Sequence, residues 1–257
     1  MTSSDVVFTA LFGGYENLNE LVIEKNPNTK YICFTDDSNL KSQSWEIRVI
    51  EPPSHHDPAK SSRAIKMLGH RFFPMGTRLL YIDNTVELKV DGALVLDAWL
   101  KSDHVAFMSH YSRKTLRGEF FVCSAYGMDE QKKFWTQFQK YKHAFPGVLD
   151  ERPYWGGMIA RVNSPETDHF MEVWDEQFRL YSKRDQLSIN VSSLISNVSI
   201  NRVFAQNDVS EWHVWPIITM RNLSGRDTTS LAKFRKMKII LNGLRFGIRF
   251  YVSKFFN

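Results

Sequence analysis

Runs of apolar residues, broken at glycine, proline and paired aspartates, divide the first ninety positions into alternating short strands and helices. Val6 to Phe12 is continuously apolar and ends in Gly13-Gly14-Tyr15, which reads as a buried strand entering a glycine turn. Asn17 to Lys25 is expected to be helical and to stop near Asn26-Pro27. Tyr31 to Thr35 reads as a second strand, closed by Asp36-Asp37, and Trp45 to Ile50 as a third, closed by Pro52-Pro53. Pro58 opens a helix to about Phe73, and Leu79 to Ile82 is a fourth strand ending in Asp83-Asn84. Strands separated by helical crossovers argue for an α/β sheet with parallel strands. Asp36 and Asp83 then fall at strand ends, where such sheets bind ligands.

The second half is read the same way. Gly92 to Ser102 reads as helix, and His104 to Met108 as a strand delivering His110 and Arg113. Thr115 to Phe145 reads as two helices broken near Gly127. Trp155-Gly156-Gly157-Met158 reads as a glycine turn entering a strand. Ser164-Pro165 has the form of a helix cap and first turn, with Phe170, Val173, Trp174, Phe178 and Tyr181 on the buried side. A more apolar helix should run to about Val198, and Trp212 to Pro216 should be extended. In the tail, Leu231, Phe234, Met237, Leu241, Leu244, Ile248, Tyr251 and Phe255 recur at three- and four-residue steps. The expected organisation is one domain over residues 1–222 and a basic amphipathic helical tail over 223–257.

Composition sharpens this picture in two places. The net charge is +5, but seven of the 33 basic residues and none of the 28 acidic ones lie in residues 228–257. The remainder stands at −2, which argues against a nucleic-acid-binding body. The tail suits either packing on protein or an anionic membrane surface. Two cysteines, Cys33 and Cys123, are too few for a disulfide framework. No 18-residue apolar run and no basic-apolar leader occur, so the expectation is a cytoplasmic protein, peripheral on the inner face of the cell membrane.

Candidate chemistry gathers on the first helix and the strand ends. Lys60, Arg63, Lys66 and His70 share one helical face. They form either a solvated basic stripe or a clamp on a diphosphate. Asp83 is either a turn residue or a ligand to a metal or nucleotide.

Several segments together resemble a known family. They are Thr9 to Tyr15, Ile32 to Asp36, Arg63 with Lys66, Tyr81 to Asn84, His110 with Arg113 and Glu119, and Arg184 to Ser188. In this order they resemble the TOD1/MUCI70-like glycosyltransferases, hexosyltransferase-like proteins of a GT-A nucleotide-sugar fold, over about residues 5–220. The resemblance implies an α/β fold with a Rossmann-like mixed sheet flanked by helices. It implies a nucleotide-diphosphate sugar as donor, bound by Phe12, Gly13, Gly14, Tyr15, Asp36, Arg63, Lys66, Asp83, Gly156, Gly157 and Gln186. Asp185 would be the catalytic carboxylate beside the transferred hexose. His110, Arg113 and Glu119 either form an internal ion-pair network or line the acceptor side, facing a glycan or lipid-linked acceptor in bacterial surface polysaccharide synthesis. Mn2+ or Mg2+ would be held by Asp83 and a late histidine, His213, which reads equally as a structural histidine between two tryptophans. One departure stands out: Asn84 and Thr85 follow Asp83, so the second aspartate of an Asp-x-Asp metal motif is missing. Two other function classes stay open, a nucleotidyltransferase and a catalytically inactive nucleotide-sugar-binding module. Pyrophosphate release would mark the first, and donor binding without transfer the second.

Overall fold

The computed structural model describes residues 5–101, 104–216, 241–244 and 246–247. Its first strand, β1 (Asp5–Leu11), is buried at all seven positions. It lies between β2 (Thr29–Thr35) and β4 (Arg78–Ile82), parallel to both. β3 (Glu46–Val49) adds to β2 in parallel at one edge. On the other side β7 (Tyr154–Val162) pairs antiparallel with β4 and with β6 (Val105–Ser109), and β8 (Asn201–Val203) pairs parallel with β6. The seven-stranded order is β3-β2-β1-β4-β7-β6-β8, with β7 alone running against the rest. β5 (Glu87–Leu88) and β9 (His213–Val214) form a separate small ribbon.

Continuous apolar runs in the central strands follow from burial on both faces. One face carries Phe8, Ile32, Leu79, Tyr81, Phe107 and Ile159, and is covered by α1 (Pro58–Leu68) and α5 (Pro165–Leu180) through Ile65, Phe170 and Trp174. The other carries Val7, Cys33, Leu80, Ala106 and Met158 under α2 (Gly92–Trp99). A third cluster joins α3 (Leu116–Ala125), α4 (Gln131–Ala144) and α6 (Ile189–Ser196) around Phe120, Phe138 and Val191. Gly127, with φ of +62°, makes the break between α3 and α4. The mixed, mostly parallel sheet flanked by helices is the expected class.

Two local expectations are corrected. Asn17 to Lys25 is not helical. Its polar groups bond to distant loops instead: the Asn19 amide donates to Asn84 Oδ1 at 3.0 Å, Leu21 N to Ser44 Oγ at 2.9 Å, and Trp45 Nε1 to Asn19 O at 2.9 Å. Tertiary partners outweigh a weak helical preference here. Gly156 and Gly157 are not a turn but buried positions inside β7.

The tail is described only at 241–244 and 246–247, which are helical. Phe246 is 4% exposed and meets the Trp135 and Phe138 rings at 5.8 and 5.6 Å between centroids. Leu241 and Leu244 face outward. The other positions of the expected stripe lie outside the described residues. Among the described residues no helix is long and apolar enough to cross a membrane.

Candidate active site

Because β1, β2 and β4 run parallel, their C-terminal ends share one edge of the sheet. β7 enters at that same edge: Ile82 pairs with Met158, and Asp83 N donates to Gly157 O at 2.9 Å. β6 ends there too, just before His110. The resulting cleft is about 590 Å3 in volume. Asp83, Gly156 and His110 therefore converge for a topological reason.

α1 brings cations to this edge. Asp57 caps the helix by accepting from Lys60 N at 3.0 Å, and Pro58 occupies its first turn. Arg63 and Lys66, three residues apart, then point along one face into the cleft. Lys66 is almost fully buried and donates to Asp185 Oδ2 at 2.8 Å and to Asp83 Oδ1 at 3.4 Å. Its ammonium also lies 5.3 Å from the Tyr81 ring centroid. Space for this head comes from Gly156, where an added Cβ would sit 3.2 Å from Lys66 Nζ.

The loop after α5 supplies the opposing carboxylate. Asp185 opens a short 3-10 turn, and its backbone carbonyl accepts from Trp174 Nε1 at 2.9 Å. Its Oδ1 accepts from Gln186 N at 3.0 Å while Oδ2 takes Lys66, so the carboxylate is fixed at both oxygens. Burial alone would push its pKa up, but Lys66, Arg63 and Arg184 outweigh this and hold it well below the usual carboxylate range. Burial likewise opposes the charge of Arg63, yet Asp185 and Asp83 keep its pKa above the ordinary value. Asp83 also accepts from Tyr81 OH at 2.8 Å. Burial first, then this carboxylate, raises the Tyr81 pKa, so the phenol stays protonated and donates.

At the far end of the cleft Glu119 is buried, with Arg113 Nε at 3.1 Å and His110 Nε2 at 3.7 Å. Burial lowers the pKa of His110 against the opposing pull of Glu119, which favours neutral imidazole at pH 7.

Not every expected donor residue reaches the cleft. The Phe12 ring is fully buried in the core, so only its backbone is available to a ligand. Gly13 and Gly14 take positive φ, as the predicted turn requires, and Asp36 fixes this turn by accepting from Gly13 N at 2.9 Å. Asp36 thus shapes the backbone rather than lining the cleft. Tyr15 is 40% exposed and lies close enough to Arg63 and Asp83 for their charges to act on its hydroxyl. Sequence reading gave no role to Arg184, Tyr81, Trp155, Asn207 or Trp215, of which all but Tyr81 line the cleft. Arg184 had a signal, its place beside Asp185 in the resembling segment. The two tryptophans had none.

The residues present do not fit a protein-held divalent ion. His213, the expected second ligand, is fully buried with both ring nitrogens engaged: Nε2 meets Asn207 O at 3.0 Å and Nδ1 meets Ser210 Oγ at 2.7 Å. It stacks on Trp155 at 5.3 Å, and burial lowers its pKa, so its role is structural. The two residues after Asp83 are engaged as well. Asn84 Oδ1 accepts from Asn19 N and its amide donates to Asn17 O at 2.8 Å, while Thr85 Oγ1 accepts from Trp215 Nε1 at 3.1 Å. Among the described residues no three His, Cys, Asp or Glu side chains are grouped to hold a metal.

Comparison with known proteins agrees with the resemblance seen in the sequence. The model of the TOD1/MUCI70, glycosyltransferase-like domain matches residues 2–213. This chain belongs to the TOD1/MUCI70 glycosyltransferase-like family. A curated relative, the "Probable hexosyltransferase MUCI70" of Arabidopsis thaliana, is 27% identical over 163 residues, covering 60% of this TOD1/MUCI70 chain and 28% of the plant protein. The chain therefore spans little more than a quarter of that relative's length. Among solved structures, apo mouse xyloside xylosyltransferase 1 overlaps with a TM-score of 0.41 at 10% identity, covering 79% of this chain and 85% of its own. The apo WbbM bifunctional glycosyltransferase overlaps with a TM-score of 0.42 at 12% identity, covering 80% and 39%.

Proposed function

We propose that this TOD1/MUCI70 family member is a GT-A type hexosyltransferase. Its donor is a nucleoside diphosphate sugar and its acceptor a hydroxyl of a glycan or lipid-linked glycan, as in surface polysaccharide synthesis. The observation that carries this reading is the meeting of Arg63, Lys66, Arg184, Asp83 and Asp185 in one cleft at the C-terminal edge of the sheet. Cations there neutralise charge developing on a leaving diphosphate. Asp185, held ionised, steadies the cationic anomeric centre and orients sugar hydroxyls. Its low pKa suits it poorly to taking a proton. The Arg113-Glu119-His110 group closes the acceptor end. Gly156, which a side chain would crowd against Lys66 and Gln186, keeps that wall of the cleft open for the sugar.

Membrane contact through the tail belongs to the same proposal. Leu241 and Leu244 face outward from the segment whose Gly243 packs against the exposed Phe121, a surface compatible with the boundary of an anionic bilayer.

Incubation with a panel of UDP- and GDP-hexoses should release nucleoside diphosphate, faster with a suitable acceptor extract. Absence of donor binding across the panel would reject the reading.

A further inference from the structure

We infer that the donor diphosphate is neutralised by three of the protein's own cations, Lys66, Arg63 and Arg184, and that no divalent ion is required. The inference rests on the donor reading of the cleft and concerns how that donor is held.

Three observations carry it. First, the Lys66 ammonium stands between the two carboxylates of the cleft, 2.8 Å from Asp185 and 3.4 Å from Asp83. That is where an ion bridging both would sit. A cation bound on Asp83 would instead face a buried like charge across a few ångströms, with little water between to screen it.

Second, the side chains that would complete a metal shell are engaged elsewhere. Asn84, Thr85 and both nitrogens of His213 bond to protein partners. One half-exposed carboxylate makes a poor divalent site.

Third, the cleft holds cationic donors without acceptors. The Nε groups of Arg63 and Arg184 are both buried and unpartnered. Arg161 Nε and Nη2 are unpartnered too, but deep in the core, whereas Arg63 and Arg184 line the cleft, where an anion can reach them. Both arginines line the cleft that holds the Lys66–Asp185 pair. A diphosphate laid across them would satisfy both orphaned donors and face Lys66. Sugar transfer then proceeds with the leaving diphosphate's charge taken up by three fixed cations.

The test is calorimetric titration of the full chain with uridine, guanosine, adenosine, thymidine and cytidine diphosphates, each in EDTA and in Mn2+ or Mg2+. The inference predicts that the preferred nucleotide binds with a Kd that differs by less than about threefold between arms. Loss of about tenfold or more in EDTA, restored by metal, overturns the inference but leaves the donor reading intact. Binding of none of the five nucleotides in either arm overturns the donor reading itself, and the inference with it. Arg184→Gln and Arg63→Gln should each weaken nucleotide binding by about tenfold, with equal loss in both arms. A loss confined to the metal arm contradicts the inference.

A second measurement reads the ammonium directly. Mn2+ added with nucleotide should give no protein-bound electron paramagnetic resonance signal in the wild type. Lys66→Ala, which frees the space between the carboxylates, should gain one. A bound signal in the wild type that Asp83→Asn abolishes overturns the inference even where Lys66→Ala fails to fold.

Discussion

Lys66 and Asp185 are 119 positions apart in the chain, yet the ammonium of one donates to the carboxylate of the other at 2.8 Å, both nearly fully buried. Such a pair is costly to desolvate and is weak grounds for claiming stability. Its worth lies in geometry: it ties the first helix to the loop after α5 in the buried wall of the cleft. Breaking it from one side should destabilise the protein, because the remaining charge stays buried. Asp185→Ala should cost about 3 kcal/mol, the low end for a broken buried pair, since Asp83 remains as a second partner for Lys66. Urea denaturation of the two proteins measures this directly.

Gly156→Ala separates function from folding. The new Cβ meets the far end of Lys66, a flexible side chain that can move aside. The variant should keep its Tm within a few degrees while transfer falls by roughly 10- to 100-fold, because the ammonium is displaced. Gly157→Ala is the contrast. There the Cβ would fall 2.2 Å from the Trp155 ring, so the expected result is a clear loss of Tm.

Acid should destabilise the protein through groups that are buried neutral. His70 is held at a pKa of about 4, chiefly by burial and next by Arg161, against 6.5 when unfolded. The unfolded chain therefore binds a proton that the folded one refuses. Stability is lost as pH falls from 6.5 towards 4, by up to about 3 kcal/mol for this residue. Burial lowers His110 and His213 too, so they add in the same direction. Asp185 acts lower: its depressed folded pKa contributes stability above the unfolded carboxylate range, near ~3.9, that is lost only as pH falls below it. His70→Asn keeps a donor for Met67 O and should flatten denaturation midpoints between pH 6.5 and 4.5 relative to wild type.

The tail should matter to the fold as well as to membranes. Phe246→Ala should cost about 3 kcal/mol through the cavity left among Trp135 and Phe138. Leu241→Ser with Leu244→Ser should leave stability nearly unchanged, as both are exposed. On the membrane proposal the double variant should lose co-sedimentation with anionic vesicles, while neutral vesicles bind neither protein. Equal partitioning of the double variant and wild type would reject membrane contact through this surface.

Much of the architecture was legible because burial on both faces writes itself as unbroken apolar runs. β1, β2 and β4 carry such runs, and the parallel order then places Asp83 and the glycine turn on one edge. The cap at Ser164 and the break at Gly127 were legible from local chemistry alone. Asn17 to Lys25 was not, since its partners, Ser44, Trp45 and Asn84, are brought to it by the fold. His213 misled for a related reason: a histidine between tryptophans reads the same whether its nitrogens are free or bonded to Asn207 and Ser210. Spacing along α1 could not distinguish a solvated basic stripe from a buried clamp. The structure divides it, with Lys60 exposed, His70 turned into the core and Lys66 in the cleft.

The central claim is that Asp185 acts on a donor sugar held in this cleft. It is tested most directly by following nucleoside diphosphate release from the preferred nucleotide-hexose with wild type and Asp185→Asn, with donor Kd measured on the same samples. The account predicts that Asp185→Asn binds donor within about threefold of wild type while turnover falls by roughly 100-fold or more. Undiminished turnover by a folded Asp185→Asn protein would contradict it.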